Sequence, residues 1–177
     1  MKLITRTNKQ HIKELLKSID SSKICEVGCG RFAWDEAQSL CDIVDHTDLY
    51  SDRRFVQCDG TQTSFEDKEF DFVIASHVAE HVKDISLFLA ELQRIAHSGY
   101  IEVPKPLFDN LTFGNKTEHL WWVNFDDVNQ KVVFEPKKII TNEVFWPEQC
   151  KQLEPYFLES MYLSLYWRSS IEFEVKN

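Results

Sequence analysis

Hydrophobic positions change period several times along this chain, and each change marks an element. Ile12, Leu15, Leu16 and Ile19 recur at helical spacing, which predicts an amphipathic helix over residues 9–19 capped by Asn8 or Thr7. Residues 23–27 make a short apolar strand that runs straight into Gly28-Cys29-Gly30. After the glycines, Trp34, Ala37 and Leu40 predict a second helix with an acidic first turn at Asp35 and Glu36. Three further strands follow: Ile43-Val44 ending at Asp45, residues 55–58 ending at Asp59-Gly60, and residues 70–75. The last is the most apolar, as a central parallel strand requires.

From Asp84 onward, Ile85, Phe88, Leu89, Leu92, Ile95 and Ala96 hold helical period for three turns, with Asp84 as N-cap and Gly99 as the stop. Residues 100–103 form a fifth strand, ended by Pro104 and Pro106. This order predicts an α/β, Rossmann-like, open and mostly parallel sheet with helices on both faces. Beyond Pro106 the texture shifts. Residues 120–125 and 131–134 flank Asp126-Asp-Val-Asn129 as a hairpin, residues 147–153 suggest a short helix opening on proline, and residues 171–175 alternate apolar and charged like a half-exposed antiparallel strand. No linker or repeat divides residues 1–177, so a single domain is expected.

Composition narrows the chemistry. With 177 residues, 43% of them hydrophobic, the chain is long enough to bury a core of its own. A net charge of −9 makes nucleic acid an unfavoured partner, because such binding rests on lysine and arginine neutralising phosphates. No apolar run reaches the roughly 20 residues of a membrane span, and residues 1–20 lack the apolar centre of a secretory signal. A cytoplasmic protein is expected. Its five cysteines, without a C-x-x-C pair, read as small buried hydrophobes in a reducing compartment.

Glycine is scarce at five residues, so its doubling at the end of the first strand points to backbone need. Glu26-Val-Gly-Cys-Gly-Arg-Phe-Ala33 fits G-x-G-x-x-[G/A], in which glycines permit a tight turn and close approach to a ligand, and a following helix offers free N–H groups. Asp45, or its rival Asp48, lies near the spacing at which such folds bind ribose hydroxyls. Asp59 ends the third strand, where its carboxylate can accept from an adenine amino group. Ligands of open α/β sheets bind outside the carboxyl ends of the strands, where all these residues would meet.

Taken in order, EVGCG after a strand, CDG after the third strand, FEDKEFDFVIASHVAEHVKD and then SGYIEVPKP after a helix resemble the class I S-adenosylmethionine-dependent methyltransferases, in particular the small-molecule, type 11-like group. The resemblance covers residues 23–106. It implies S-adenosylmethionine as cofactor and a sheet of about seven strands with an antiparallel C-terminal hairpin, which residues 162–167 and 171–175 would supply. It also implies that Glu26, Gly28 and Gly30 wrap the methionine moiety, Asp45 holds the ribose, Asp59 and Gly60 hold adenine, and Ser76 and His77 border the methionine end. The stretch from Asp45 to Arg54 is shorter than in many members, which leaves Asp48 as a second ribose candidate.

Two further patterns bear on the reaction. His77-Val-Ala-Glu-His81 fits the H-x-x-E-H of inverted zincins, but that chemistry needs both histidines on one helix, and His77 falls at a strand end. No metal is therefore expected, and a zinc metalloprotease through His77, Glu80 and His81 is a remote alternative. Asn115, Glu118, His119, Trp121 and Trp122 fall where this fold borders its acceptor, and His119 is the candidate catalytic base. The expected function is direct in-line methyl transfer to a small-molecule, sugar or lipid-linked acceptor. The other reading is an inactive cofactor-binding or protein-interaction module, with the Trp121-Trp122 pair as an interface. A homodimer would complete a pocket between chains in either case.

Overall fold

The computed structural model describes residues 3–113, 117–138, 140 and 147–176. Its elements run β1 (Leu3–Arg6), α1 (Lys9–Leu16), β2 (Ile24–Val27), β3 (Ser39–Asp42), β4 (Arg54–Gln57), β5 (Phe70–Ser76), α2 (Ile85–Ile95), β6 (Ala96–Pro104), α3 (Pro106–Phe113), β7 (Trp121–Asp126), β8 (Lys131–Pro136), α4 (Pro147–Met161), β9 (Tyr162–Arg168) and β10 (Phe173–Val175). A seven-stranded sheet has the order β1-β9-β6-β5-β2-β3-β4, and a three-stranded sheet the order β10-β8-β7. The five strands from β6 to β4 run parallel, while β9 and β1 add antiparallel to the β6 side.

The apolar periods decide which helix covers which face. In α2, Phe88, Leu89, Leu92 and Ile95 are fully buried against Val27, Val73, Ala75 and Ile101 on one face of the sheet. Each such side chain contributes about 1.5–3 kcal/mol by leaving water. Asp84 caps α2 by accepting from the Leu87 N–H at 3.0 Å. On the other face, Ile12 and Leu16 of α1 meet Ile24, Leu40, Phe72, Ile74 and Tyr100, and Asn8 caps α1 through the His11 N–H. As expected of the most apolar strand, β5 lies in the middle of the sheet.

Four expectations are corrected. Trp34, Ala37 and Leu40 do not start a helix: residues 28–38 are irregular, and Leu40 belongs to β3. The second strand therefore ends at Asp42, and Ile43 and Val44 stand 68% and 55% exposed in the loop beyond it. Gly99 does not stop α2. It lies inside β6, which begins directly after the helix, and a Cβ there would sit 2.5 Å from the Val73 carbonyl oxygen of the neighbouring strand. The cysteines are not all unpaired, because Cys41 and Cys58 are joined by a disulfide between the ends of β3 and β4, while Cys25 and Cys29 are free and buried.

The far end of the sheet also differs in its partners. β9 does run antiparallel beside β6, but its second neighbour is the N-terminal β1, with Leu3 opposite Arg168. The alternating segment expected to complete a C-terminal hairpin becomes β10 and pairs parallel with β8 in the small sheet. The β7–β8 hairpin forms as predicted, with Asp126 accepting from the Val128 and Asn129 N–H groups in its turn.

Candidate active site

The carboxyl ends of β2, β3, β4 and β5 lie side by side and bring four polar or glycine features to one sheet edge. After β2, the chain turns through Gly28 and Gly30 with φ of +74° and +51°, a region in which only glycine is unstrained. The Gly28 N–H donates to the Cys41 carbonyl at 2.7 Å, which hooks the turn over β3. A Cβ on Gly28 would lie 2.5 Å from a Val78 methyl, whereas one on Gly30 would meet nothing within 4 Å. Gly28 is thus required by packing, and Gly30 leaves open space at the turn.

Side chains rather than a helix hold the loop that follows. Asp42 accepts from the Gly30 N–H at 2.8 Å with one oxygen and from the Val44 N–H at 2.9 Å with the other. Tyr50 donates its hydroxyl to the Gly30 carbonyl and accepts from the Ala33 N–H, both at 3.0 Å. Glu26, buried at the end of β2, accepts from the Trp34 N–H at 2.7 Å. Burial pushes its carboxyl up to about 8, against the opposing pull of that N–H.

The structure therefore moves the acid of the second strand. Asp42 stands at the strand end, 9% exposed, while Asp45 lies in the exposed loop and accepts from the Thr47 N–H and hydroxyl. Asp48 is exposed in the same loop. Asp59 follows β4 as expected and accepts from the Thr61 N–H at 2.8 Å, which with the Thr61 hydroxyl holds its carboxyl below the usual range. Gly60 beside it packs closely, since a Cβ would lie 3.0 Å from both Phe88 and Val27. Asp42 was hidden because Cys41 to Val44 reads as an apolar run; its signal was the acid breaking that run.

At the end of β5, Ser76 donates its hydroxyl to Glu102 Oε1 at 3.1 Å, and His77 takes a left-handed φ of +57°. That turn sets the His77 ring 3.5 Å from Glu102 Oε1, 3.6 Å from Glu80 Oε1 and edge-on to Tyr162. Burial works against an imidazolium here, but hydrogen bonding to Glu102 and Glu80 outweighs it and raises the His77 pKa to about 9. Glu102 answers in the other direction. Burial would raise it, yet His77, Tyr100 and Lys9 hold it down to about 2, and Tyr100 donates its hydroxyl to it at 2.5 Å. Sequence reasoning missed Glu102 because it lies in an apolar strand with nothing in its spacing to single it out.

Beyond His77 opens a cleft of about 840 Å³, bounded by Lys9, Glu102, Lys105, Tyr162 and the bend of α4, where Pro155 interrupts the helix and Phe157 has non-helical φ and ψ. It lies on the β6–β9 side of His77, away from the glycine turn. His119 does not line it. Its Nδ1 lies 2.5 Å from Oδ1 of the buried Asp109, and its ring meets His81 edge-on at 4.6 Å between centroids. Trp121 and Trp122 are half-buried, and Trp121 donates its Nε1–H to the Val82 carbonyl, so the pair is not an open interface. Glu118 is exposed, and Asn115 lies outside the described residues. His77 directly follows the strand β5 and His81 sits in a short 3-10 turn, so the helical zincin arrangement is not formed.

An open α/β sheet with a glycine turn and two acids at adjacent strand ends defines a Rossmann-like, nucleotide-binding class of protein. The family model described as a methyltransferase domain matches residues 26–101, which span the glycine turn, both acids and β5. The chain thus has the fold of S-adenosylmethionine-dependent methyltransferases and, over less than half of its length, matches a methyltransferase domain. No curated protein sequence matches it significantly.

Among solved structures, it is similar to a chain of the complex between the Haloferax volcanii Trm112 methyltransferase activator and a methyltransferase, with 13% identity over 90% of this chain and 88% of that one and a TM-score of 0.55. It is also similar to an S-adenosylmethionine-dependent methyltransferase from Mesorhizobium loti, with 11% identity over 90% and 96% of the two chains and a TM-score of 0.51. The chain spans about half (51%) of a Thermotoga maritima methyltransferase, at 20% identity over 59% of this chain and a TM-score of 0.45. Among the described residues, no helix is long and apolar enough to cross a membrane.

Proposed function

We propose that residues 1–177 act as one methyltransferase domain that methylates a small polar molecule bound in the cleft beyond His77. The observation that carries this reading is the convergence of Gly28, Gly30, Asp42, Asp59 and Ser76 on one sheet edge, with a charged cleft adjoining it through His77. These residues fit the cofactor: the turn at Gly30 is open to a ligand, and the two acids accept hydrogen bonds from hydroxyl and amino groups. In this assignment Asp42 takes the ribose role expected of Asp45.

When bound, S-adenosylmethionine supplies an activated methyl group on a positively charged sulfonium. The protein's part is positioning, since in-line displacement requires the acceptor atom at about 3–3.5 Å from the carbon it attacks. Glu102, Glu80 and Tyr162 fix the His77 ring between the cofactor edge and the cleft. A His77 pKa of about 9 makes that ring a cation at neutral pH, suited to holding an anionic group of the acceptor rather than to removing its proton. His119 leaves the acceptor role to His77 in this reading, because Asp109 holds it away from the cleft.

Titration calorimetry with S-adenosylhomocysteine checks the assignment. Asp59→Ala should weaken binding at least tenfold, about 1.4 kcal/mol, and an unchanged affinity would remove Asp59 from the site. A cytoplasmic location belongs to the same proposal, and the Cys41–Cys58 disulfide is the feature that weighs against it. Counting free thiols in protein alkylated within intact cells before lysis decides whether that bond forms there.

A further inference from the structure

We infer that Glu80, His81 and His119 form a binding site for a zinc-class divalent cation, which shares Glu80 with the His77 pocket but is tested by metal binding and not by methyl transfer. One ligand atom of each of these three side chains lies within 4.8 Å of the others. Two segments far apart in sequence are locked together to make this possible. The Leu120 N–H donates to the Glu80 carbonyl at 2.7 Å, and the Trp121 Nε1–H donates to the Val82 carbonyl at 2.8 Å.

The surroundings of the two imidazoles match those of metal ligands. His81 Nδ1 lies 3.0 Å from the Glu118 carbonyl, which can only accept, so that nitrogen carries the proton. His119 Nδ1 likewise lies 2.5 Å from Oδ1 of the buried Asp109. In both rings this leaves Nε2 as the atom available to coordinate. Ligating histidines commonly have one nitrogen fixed by a carbonyl or a carboxylate, which sets the tautomer and raises the basicity of the other.

Glu80 supplies the independent observation. Its side chain is 2% exposed, and its Oε2 is buried without a hydrogen-bond partner. An orphaned carboxylate oxygen costs free energy that a cation would recover. Two imidazoles and one carboxylate are a set of three protein ligands that suits zinc and leaves a fourth position open. Metal–ligand bonds of about 2.0–2.2 Å require the three atoms to close by about an ångström. His81 is exposed and has room to make that movement. The residues are not those of H-x-x-E-H: His119, from the far side of α3, takes the place of His77.

The test uses the purified protein stripped with a chelator and reloaded with Zn²⁺ or Co²⁺. One Zn²⁺ per chain should bind at micromolar or tighter affinity in competition with a chromophoric chelator. Co²⁺ should give the visible absorption of a low-coordinate nitrogen and oxygen site. His119→Ala and Glu80→Gln should each weaken binding at least tenfold, while His11→Ala, on the exposed face of α1, should leave it unchanged. Because His119→Ala could also disturb folding, the Co²⁺ spectrum of the unsubstituted protein is read on its own account. Failure of that protein to bind, binding that survives both substitutions, or a cobalt–thiolate charge-transfer band that places the metal on cysteine would each overturn the site.

Discussion

The chain leaving β2 and the chain leaving β5 both carry apolar residues at helical spacing, yet only the second coils. In residues 85–95 the apolar positions fill one continuous face, Asp84 caps the first turn, and the helix supplies its own hydrogen bonds. In residues 28–38, Trp34 and Ala37 are just as buried, but these residues are the whole connection from β2 to β3, whereas residues 77–95 connect β5 to β6 and leave room for turns on the way into the helix. Its polar backbone is satisfied from outside, by Glu26, Asp42, Tyr50 and by Arg53, which donates to the Trp34 and Ala37 carbonyls. Helical spacing thus predicts burial in both places and coiling only where length allows it. The shorter solution ties the glycine-turn edge of the sheet to a handful of polar side chains.

Substitutions on the two sides should separate these modes of support. Phe88→Ala, in the wall of α2, should cost about 3–5 kcal/mol in urea denaturation. Its effect on cofactor affinity should be slight at concentrations where the protein stays folded. Asp42→Ala should cost less stability, about 2 kcal/mol for the two amides it leaves unpaired, but should weaken S-adenosylhomocysteine binding more than tenfold. If Asp42→Ala left binding intact, the glycine loop would hold its shape without its side-chain ties, and the contrast with α2 would fail.

A subtler test is the pH dependence of Glu26. Its carboxyl titrates at about 8 in the folded chain against an ordinary 4.5, so between those values the folded state holds a proton that the unfolded state has lost. Stability should therefore fall as pH rises through this window, by about 1.4 kcal/mol per unit at most. Glu26→Gln, which keeps an acceptor for the Trp34 N–H, should flatten that slope in denaturation curves recorded from pH 5 to 8. A slope unchanged by the substitution would mean that Glu26 is ionised in the folded protein.

Much of the sheet was legible because apolar residues alone decide it. β5 and α2 announce themselves by run and by period, and the β7–β8 hairpin by its turn. What escaped depended on partners remote in sequence. β1 has a single buried side chain, Ile4, and is a strand only because β9 lies beside it. The alternation in residues 171–175 marks a half-exposed strand, but alternation names neither neighbour nor direction, and the strand pairs parallel with β8 instead of antiparallel with β9. At the site, Gly28, Gly30 and Asp59 stood out by type and place. Asp42 did not, because exposed Ile43 and Val44 prolong the apolar run past the strand's true end. His119 was singled out by residue type alone, and only the fold shows Asp109 and His81 beside it.

The placement of β9 between β6 and β1 also dictates an order of events during synthesis. As the ribosome releases the chain, β1 emerges first and has no strand to join, and β6 emerges with one rim of backbone donors and acceptors unmatched. Both conditions persist until residues 162–168 clear the exit tunnel and insert between them. An unmatched strand rim invites pairing with other nascent chains. The interval between the emergence of β6 and that of residues 162–168 is therefore the time when this chain is most open to pairing with its neighbours.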